Sequence, residues 1–295
     1  DAITDDAGLV LRVLHEALQP GTTALNYCRA EALLYNAHGQ VNGVRLLDCV
    51  HRQQQDVRGK VVINATGAWV DNLREVVSHE RTIRPLRGSH IIIPHELAPV
   101  NDALTLFHPQ DKRAVFIFPW ENATVVGTTD LDHALDLDLE PSITNPEIDY
   151  LLSLVQQQFP QANITRDTII ATYAGVRPVI SKDRSKAPSK EKRDHQVWVD
   201  NGLVSVSGGK LTTFRLIALD TLDTALALIS PTGTPPPAAP KRSIITGATV
   251  KPEQLNIDDP ALAARLIGCY GDSVLDIIQQ SKTGELYCIE PTRFC

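Results

Sequence analysis

Five short runs carry the residue types that could do chemistry. The first is Ser207-Gly208-Gly209-Lys210-Leu211-Thr212-Thr213. A β-rich run over 203–206 leads into it. After it, apolar residues recur at Leu211, Phe214, Ala218, Leu222, Ala225 and Ile229, in steps of three and four that suit one helix face. The spacing predicts a strand, two glycines and a helix that starts at once. The first turn of a helix has backbone N–H groups with no internal partner and a partial positive charge. Glycines there let a ligand reach the backbone without Cβ interference. Lys210 adds a full charge at the same point. Such a junction suits an anionic or electron-rich group; an ordinary tight turn would also account for a lone Gly-Gly.

The other four runs can be read the same way. Ile63-Asn64-Ala65-Thr66-Gly67-Ala68-Trp69 ends a buried strand in Thr-Gly. Gly67 lets a pyrophosphate or ribityl chain approach at the strand's C-terminal end, where dinucleotide crevices form. In Ala174-Gly175-Val176-Arg177-Pro178, the proline restricts Arg177 to extended backbone. A guanidinium fixed in this way is a bidentate partner for phosphate or carboxylate. The motif does not choose between them, and a surface ion pair fits it too. In Arg84-Pro85-Leu86-Arg87-Gly88-Ser89-His90, His90 is a candidate general base, since imidazole is easily poised near neutral pH. A buried structural histidine is the competing role. Val126-Gly127-Thr128-Thr129-Asp130 could line a pocket at Thr128 or simply form a capped turn. Asp132, Asp136, Asp138 and Glu140 follow, without the central glycine and terminal glutamate of a calcium loop. They read as a solvated loop, and no metal site is expected.

The elements that must position these runs follow from periodicity and punctuation. Residues 7–19 read as an amphipathic helix closed by Pro20-Gly21. Strands are expected over 24–34, 41–48 and 61–65, then over 89–93, 114–119, 123–128, 169–176 and 198–206. Residues 145–159 read as a helix with Pro146 in its first turn. Residues 260–280 read as helices. The fold class is α/β (α+β). Residues 1–80 and 200–230 form a partial Rossmann-like domain, and 81–199 a mixed-sheet domain. A proline-rich linker spans 231–245, and a truncated helical domain 246–295.

Composition sets the limits. With 295 residues, 43% hydrophobic and 21% charged, the chain is an ordinary globular sequence. A net charge of −7 gives nucleic-acid binding no global electrostatic support. Cys28, Cys49, Cys269, Cys288 and Cys295 are odd in number and scattered, against a disulfide framework or zinc site. No run is long and apolar enough to span a membrane. The chain contains no methionine and no GxGxxG loop, and it reads as part of a longer protein.

Taken in order, INATGAW, RPLRGSH, GTTD, GVRP and SGGKLTT resemble the flavin-dependent glycerol-3-phosphate dehydrogenases, within the amino-acid-oxidase-like flavoproteins. The resemblance is strong over 1–229 and weak beyond. It implies FAD as cofactor, with Ala30 near the adenine edge and Gly67 and Trp69 along the molecule. Gly208, Gly209, Lys210, Leu211 and Thr212 would lie at its flavin end. It implies Arg177, helped by Lys210 and Thr128, as the holder of a substrate phosphate, and His90 as a candidate base. The implied reaction oxidises sn-glycerol 3-phosphate to dihydroxyacetone phosphate. Electrons then pass to a membrane quinone from a cytoplasmic protein peripheral to the inner membrane. A homodimer is left open. The alternatives are a glycerophosphate oxidase using oxygen, an amino-acid or amine oxidase in which Arg177 holds a carboxylate, and a non-enzymatic fragment. Without the family's N-terminal GxGxxG segment, the chain by itself is expected to bind FAD weakly and to be inactive.

Overall fold

A computed structural model describes residues 4–18, 21–181, 188, 191, 194–230, 247–282 and 284–285. The proline-rich stretch 231–245 lies outside them. The chain forms two compact units: Asn26–Pro119 with Ala123–Pro237, and Asp1–Leu25 with Trp120–Asn122 and Ala238–Cys295. The smaller unit contains α1 (Asp6–Leu18) and two later helices described below.

The larger unit begins with an antiparallel sheet of β1 (Cys28–Tyr35), β2 (Val41–Asp48) and β3 (Gln53–Arg58). Its third strand, Gln-Gln-Gln-Asp-Val-Arg, has no apolar alternation and is exposed throughout, so periodicity does not reveal it. It forms because β2 offers an open edge, and Arg45 grips Asp56 directly across the pair at 2.7 Å.

A second sheet is ordered β11 (His195–Asp200), β12 (Leu203–Gly208) and β4 (Val62–Asn64). The single strand expected over 198–206 is instead a hairpin. Asn201 and Gly202 turn it, with φ of 50° and 86°, the conformation that an Asn-Gly pair favours between antiparallel strands. β12 runs parallel to β4. After β4 comes a 3₁₀ turn at Gly67–Trp69 and then α2 (Val70–Ser78). Leu33, Val41 and Leu203 form a small core joining these layers.

The third sheet contains β5 (Ile83–Pro94), β6 (Leu104–Phe107), β7 (Ala114–Trp120), β8 (Ala123–Gly127) and β10 (Ala171–Ile180), in the order β10-β5-β8-β7-β6. The two-residue β9 (Leu131–Asp132) lies beside β5. Its registered pairs are antiparallel, and the parallel pair of the chain's described residues is β4 with β12. Helix α3 (Asn145–Gln158) starts in a capping box formed by Thr144 and Glu147. It buries Leu151, Leu152, Leu154 and Val155 against Ile91, Ile93, Val115, Ile117 and Val126 of the sheet. This is the main core, and it makes the sheet a rigid floor.

Helix α4 (Phe214–Ile229) does not start at the glycines as expected. A 3₁₀ turn at Leu211–Thr213 intervenes. Of the expected stripe Ala225 is buried, with Thr221 beside it, while Leu211 and Leu222 are exposed. In the smaller unit, α5 (Pro260–Tyr270) and α6 (Val274–Gln280) pack around Leu255, Ala263 and Val274. No helix among the described residues is long and apolar enough to cross a membrane.

Because Leu151 is fully buried in the main core, Leu151→Ala should cost about 2–5 kcal/mol in urea denaturation. A loss below about 1 kcal/mol would show that this core is not the stabilising one.

Candidate active site

The third sheet brings together Arg177, Thr128 and His90. In register, Gly175 faces Gly88, Tyr173 faces His90, and His90 faces Gly127. Three adjacent strands thus carry glycines at neighbouring positions. A Cβ at Gly88 would strike the Arg177 guanidinium and the Thr128 hydroxyl, and one at Gly127 would strike the His90 ring. The missing side chains are the space into which these groups fold. Arg177 donates from Nη2 to Thr128 Oγ1 at 3.0 Å and from Nη1 to Asp130 at 3.4 Å. The Thr128 hydroxyl in turn donates to the Thr129 carbonyl at 3.0 Å. Its proton is therefore engaged, and its oxygen accepts from the guanidinium.

The His90 ring stacks on Tyr173, with centroids 4.4 Å apart and planes 8° off parallel. Its Nδ1 is buried with no hydrogen-bond partner among the described residues. Burial, and then the positive charge of Arg177, push the His90 pKa down to about 4. At neutral pH the imidazole is neutral, with a nitrogen able to accept a proton.

The candidates for cofactor contact form a second group. Gly67 has φ of 60° and open space where a Cβ would stand. The turn around it is held locally. Thr66 donates to Asn64 at 2.7 Å, Asn64 donates to the Val70 carbonyl at 2.9 Å, and Ser207 donates to the Gly67 carbonyl at 3.1 Å. That last bond ties the Gly67 turn to the end of β12. There Gly208 and Gly209 have φ of 79° and 80°, and a Cβ at either would collide with neighbouring atoms. Glycine is obligatory here. Lys210 is exposed, and its backbone N–H donates to Thr213 Oγ1 at 3.2 Å. Leu211 and Thr212 lie in the 3₁₀ turn that follows. β10, which carries Arg177, packs beside the Gly67–Trp69 turn.

Ala30 and Trp69 line one cavity of about 610 Å³, together with Cys28, Arg29, Thr66 and Asp138. Trp69 is 41% exposed and donates its indole N–H to Asp138 at 2.9 Å. The acidic loop is therefore not simply solvated. Asp138 folds back onto Trp69, and Asp132 pairs with Arg84 at 2.6 Å. A second cavity of about 370 Å³ adjoins Trp69 and is lined by His133. His133 is 7% exposed, with neither ring nitrogen bonded among the described residues. Asp138 and His133 escaped sequence reasoning because loop acids and scattered histidines give no periodic signal. The floor glycines Gly88 and Gly127 were visible only as parts of motifs.

An exposed indole, small residues, an open left-handed glycine and a glycine pair at a strand end suit an elongated ligand carrying phosphates and a ring. These residues fit FAD. The comparisons agree. The FAD-dependent oxidoreductase family matches residues 1–221, and the chain belongs to it. Over 223 residues the chain is 34% identical to aerobic glycerol-3-phosphate dehydrogenases from Staphylococcus aureus and Staphylococcus epidermidis. The match covers 75% of this chain and 40% of each of those proteins. The fold is also that of the glycerol-3-phosphate dehydrogenase from Bacillus halodurans, solved in complex with FAD. The two superpose with a TM-score of 0.79 at 28% identity, covering 94% of this chain and 56% of that one.

Two outcomes follow from the geometry. His90 is more easily protonated unfolded, near 6.5, than folded, near 4. The folded state therefore binds fewer protons in that window, and stability falls as pH drops from about 6.5 to about 4. Melting temperature against pH should be flatter there in His90→Phe, and an unchanged slope would remove His90 as the cause. Gly88→Ala should leave the circular dichroism spectrum intact while weakening phosphate binding about tenfold, because the new methyl displaces the guanidinium. Equal phosphate affinity by calorimetry would refute that steric argument.

Proposed function

We propose that the protein containing this chain oxidises sn-glycerol 3-phosphate to dihydroxyacetone phosphate, using FAD. The observation that carries this reading is a guanidinium laid over a glycine floor beside a neutral imidazole. Arg177 binds the substrate phosphate through its planar fork, and Thr128 with Asp130 sets its direction. Lys210, exposed at the strand end, adds a second positive charge. His90 is the candidate base for the C2 hydroxyl proton, its ring neutral at neutral pH. A bound phosphate offsets the Arg177 charge that helps hold His90 down, so substrate binding makes His90 a better base.

FAD supplies the acceptor for the hydride that leaves C2. Ala30, Gly67, Trp69, Gly208, Gly209, Lys210, Leu211 and Thr212 would hold it. Gly67 admits it to the backbone, the glycine pair turns the chain beside it, and Trp69 offers an aromatic face. The reading further includes a quinone as electron acceptor, met at a membrane surface by a protein whose other contacts lie on the cytoplasmic side. It keeps residues 81–199 as the substrate-covering part and 1–80 with 200–230 as the cofactor part.

The test is an assay of the full-length protein with glycerol 3-phosphate and a soluble quinone. Arg177→Ala should raise KM by the equivalent of about 2–4 kcal/mol, the cost of losing a charged phosphate anchor. An unchanged KM would take Arg177 out of the site. Oxidation of an amino acid in place of glycerol 3-phosphate would overturn the substrate. Stoichiometric hydrogen peroxide with no quinone reduction would overturn the acceptor.

A further inference from the structure

Glu147 stands outside the pocket and yet holds two of its walls. It lies in the first turn of α3 and is 2% exposed. Its carboxylate accepts from the Thr144 backbone N–H at 2.9 Å and the Thr144 hydroxyl at 2.7 Å. Those bonds belong to the start of the helix. Three further donors do not: Ser89 Oγ at 2.8 Å, Thr129 Oγ1 at 2.7 Å and Arg87 Nη2 at 2.7 Å. Ser89 sits between Gly88 and His90 on β5. Thr129 sits between Thr128 and Asp130, the two residues that Arg177 reaches. Ser89 and Thr129 are also bonded to each other, from Ser89 N–H to Thr129 Oγ1 at 2.9 Å and from Thr129 N–H to the Ser89 carbonyl at 3.3 Å.

The carboxylate is charged. Burial alone would raise its pKa, but the hydrogen bonds from Thr144, Thr129 and Ser89 outweigh burial and hold it below the ordinary range. A buried carboxylate with this many donors has no freedom to re-pair. Any change in it moves strand β5 against segment 128–130.

We propose that Glu147 is a positioning residue for the oxyanion site: through Ser89 and Thr129 it fixes segment 128–130 on the glycine floor, and so aims Arg177. It touches no ligand. The inference rests on the reading of Arg177 as a phosphate anchor. Glu147→Gln removes the charge that pairs with Arg87 and leaves one accepting oxygen where Arg87 and the Thr144 N–H can only donate, so the hydroxyls of Ser89, Thr129 and Thr144 must re-pair. Glu147→Asp keeps the charge but shortens the reach by one methylene.

The experiment compares wild type, Glu147→Gln, Glu147→Asp and Leu151→Ala in the full-length, flavin-loaded protein. Four quantities are read: melting temperature, KM and kcat for glycerol 3-phosphate, and affinity for inorganic phosphate by calorimetry. Glu147→Gln should raise KM and weaken phosphate binding about tenfold or more, with kcat changed less than about threefold. Glu147→Asp should recover part of that loss. Leu151→Ala, destabilised through the core alone, should keep KM and phosphate affinity within about twofold of wild type. If Glu147→Gln melts earlier but binds phosphate and substrate as Leu151→Ala does, Glu147 is only structural and the inference is overturned. Should Glu147→Gln not fold, Thr129→Val cuts one bond of the same link and is judged by the same criteria. A wild type that binds phosphate but does not oxidise glycerol 3-phosphate overturns the proposed function alone, and the phosphate affinities then decide this inference. A wild type that binds no phosphate overturns both.

Discussion

A long side chain can lie flat across a β-sheet only where the strands beneath it have no Cβ. That steric condition underlies the whole candidate site. Gly88 meets it beneath the Arg177 guanidinium and Gly127 beneath the His90 ring, on neighbouring strands, and it depends on register: a slip of one residue would put Ser89 or Arg87 under the guanidinium. The register is fixed in turn by the apolar face of the same sheet. Ile91, Ile93, Val115, Ile117 and Val126 bury against α3. The polar face can therefore hold costly groups, a half-buried imidazole and a partly buried guanidinium, because the opposite face is dry and close-packed.

The two sites are built on different backbone principles. The candidate cofactor track uses glycine for its angles: Gly67, Gly208 and Gly209 turn the chain where other residues could not. The anion pocket uses glycine for its emptiness, in ordinary extended strands. Packing of β10 beside the Gly67–Trp69 turn joins the two. The acidic loop adds a third principle. Asp138 accepts from Trp69 along the wall of the cavity that both line, so a surface loop orients an exposed ring.

Much of this was legible in the sequence. β2, α3 and the strand-to-glycine junction follow from period-two and period-3.6 patterns. The restriction that Pro178 places on Arg177 marks a fixed guanidinium, and leaves an anion site and an ion pair both open. Other features were hidden for physical reasons. β3 is polar on both faces and exists only because a neighbour has unpaired backbone. The 3₁₀ turn at Leu211–Thr213 delays the start of α4, which residue spacing alone does not register. Asn201-Gly202 carries the signal of a hairpin, but the apolar run on both sides hides it. The link from Glu147 to Ser89 and Thr129 spans 58 and 18 residues of chain, and no local pattern encodes it.

The two kinds of glycine also differ in what inheritance can do with them. Gly39 has φ of 77° and open space around it. Asparagine tolerates that conformation, so drift at this turn costs little. Gly127 does not have a left-handed φ, and a screen of φ alone would pass it as replaceable. Yet any larger residue there meets the His90 ring. Neutral change at Gly127 is closed off unless position 90 changes with it. The two sites, on separate strands, are bound to vary together or not at all.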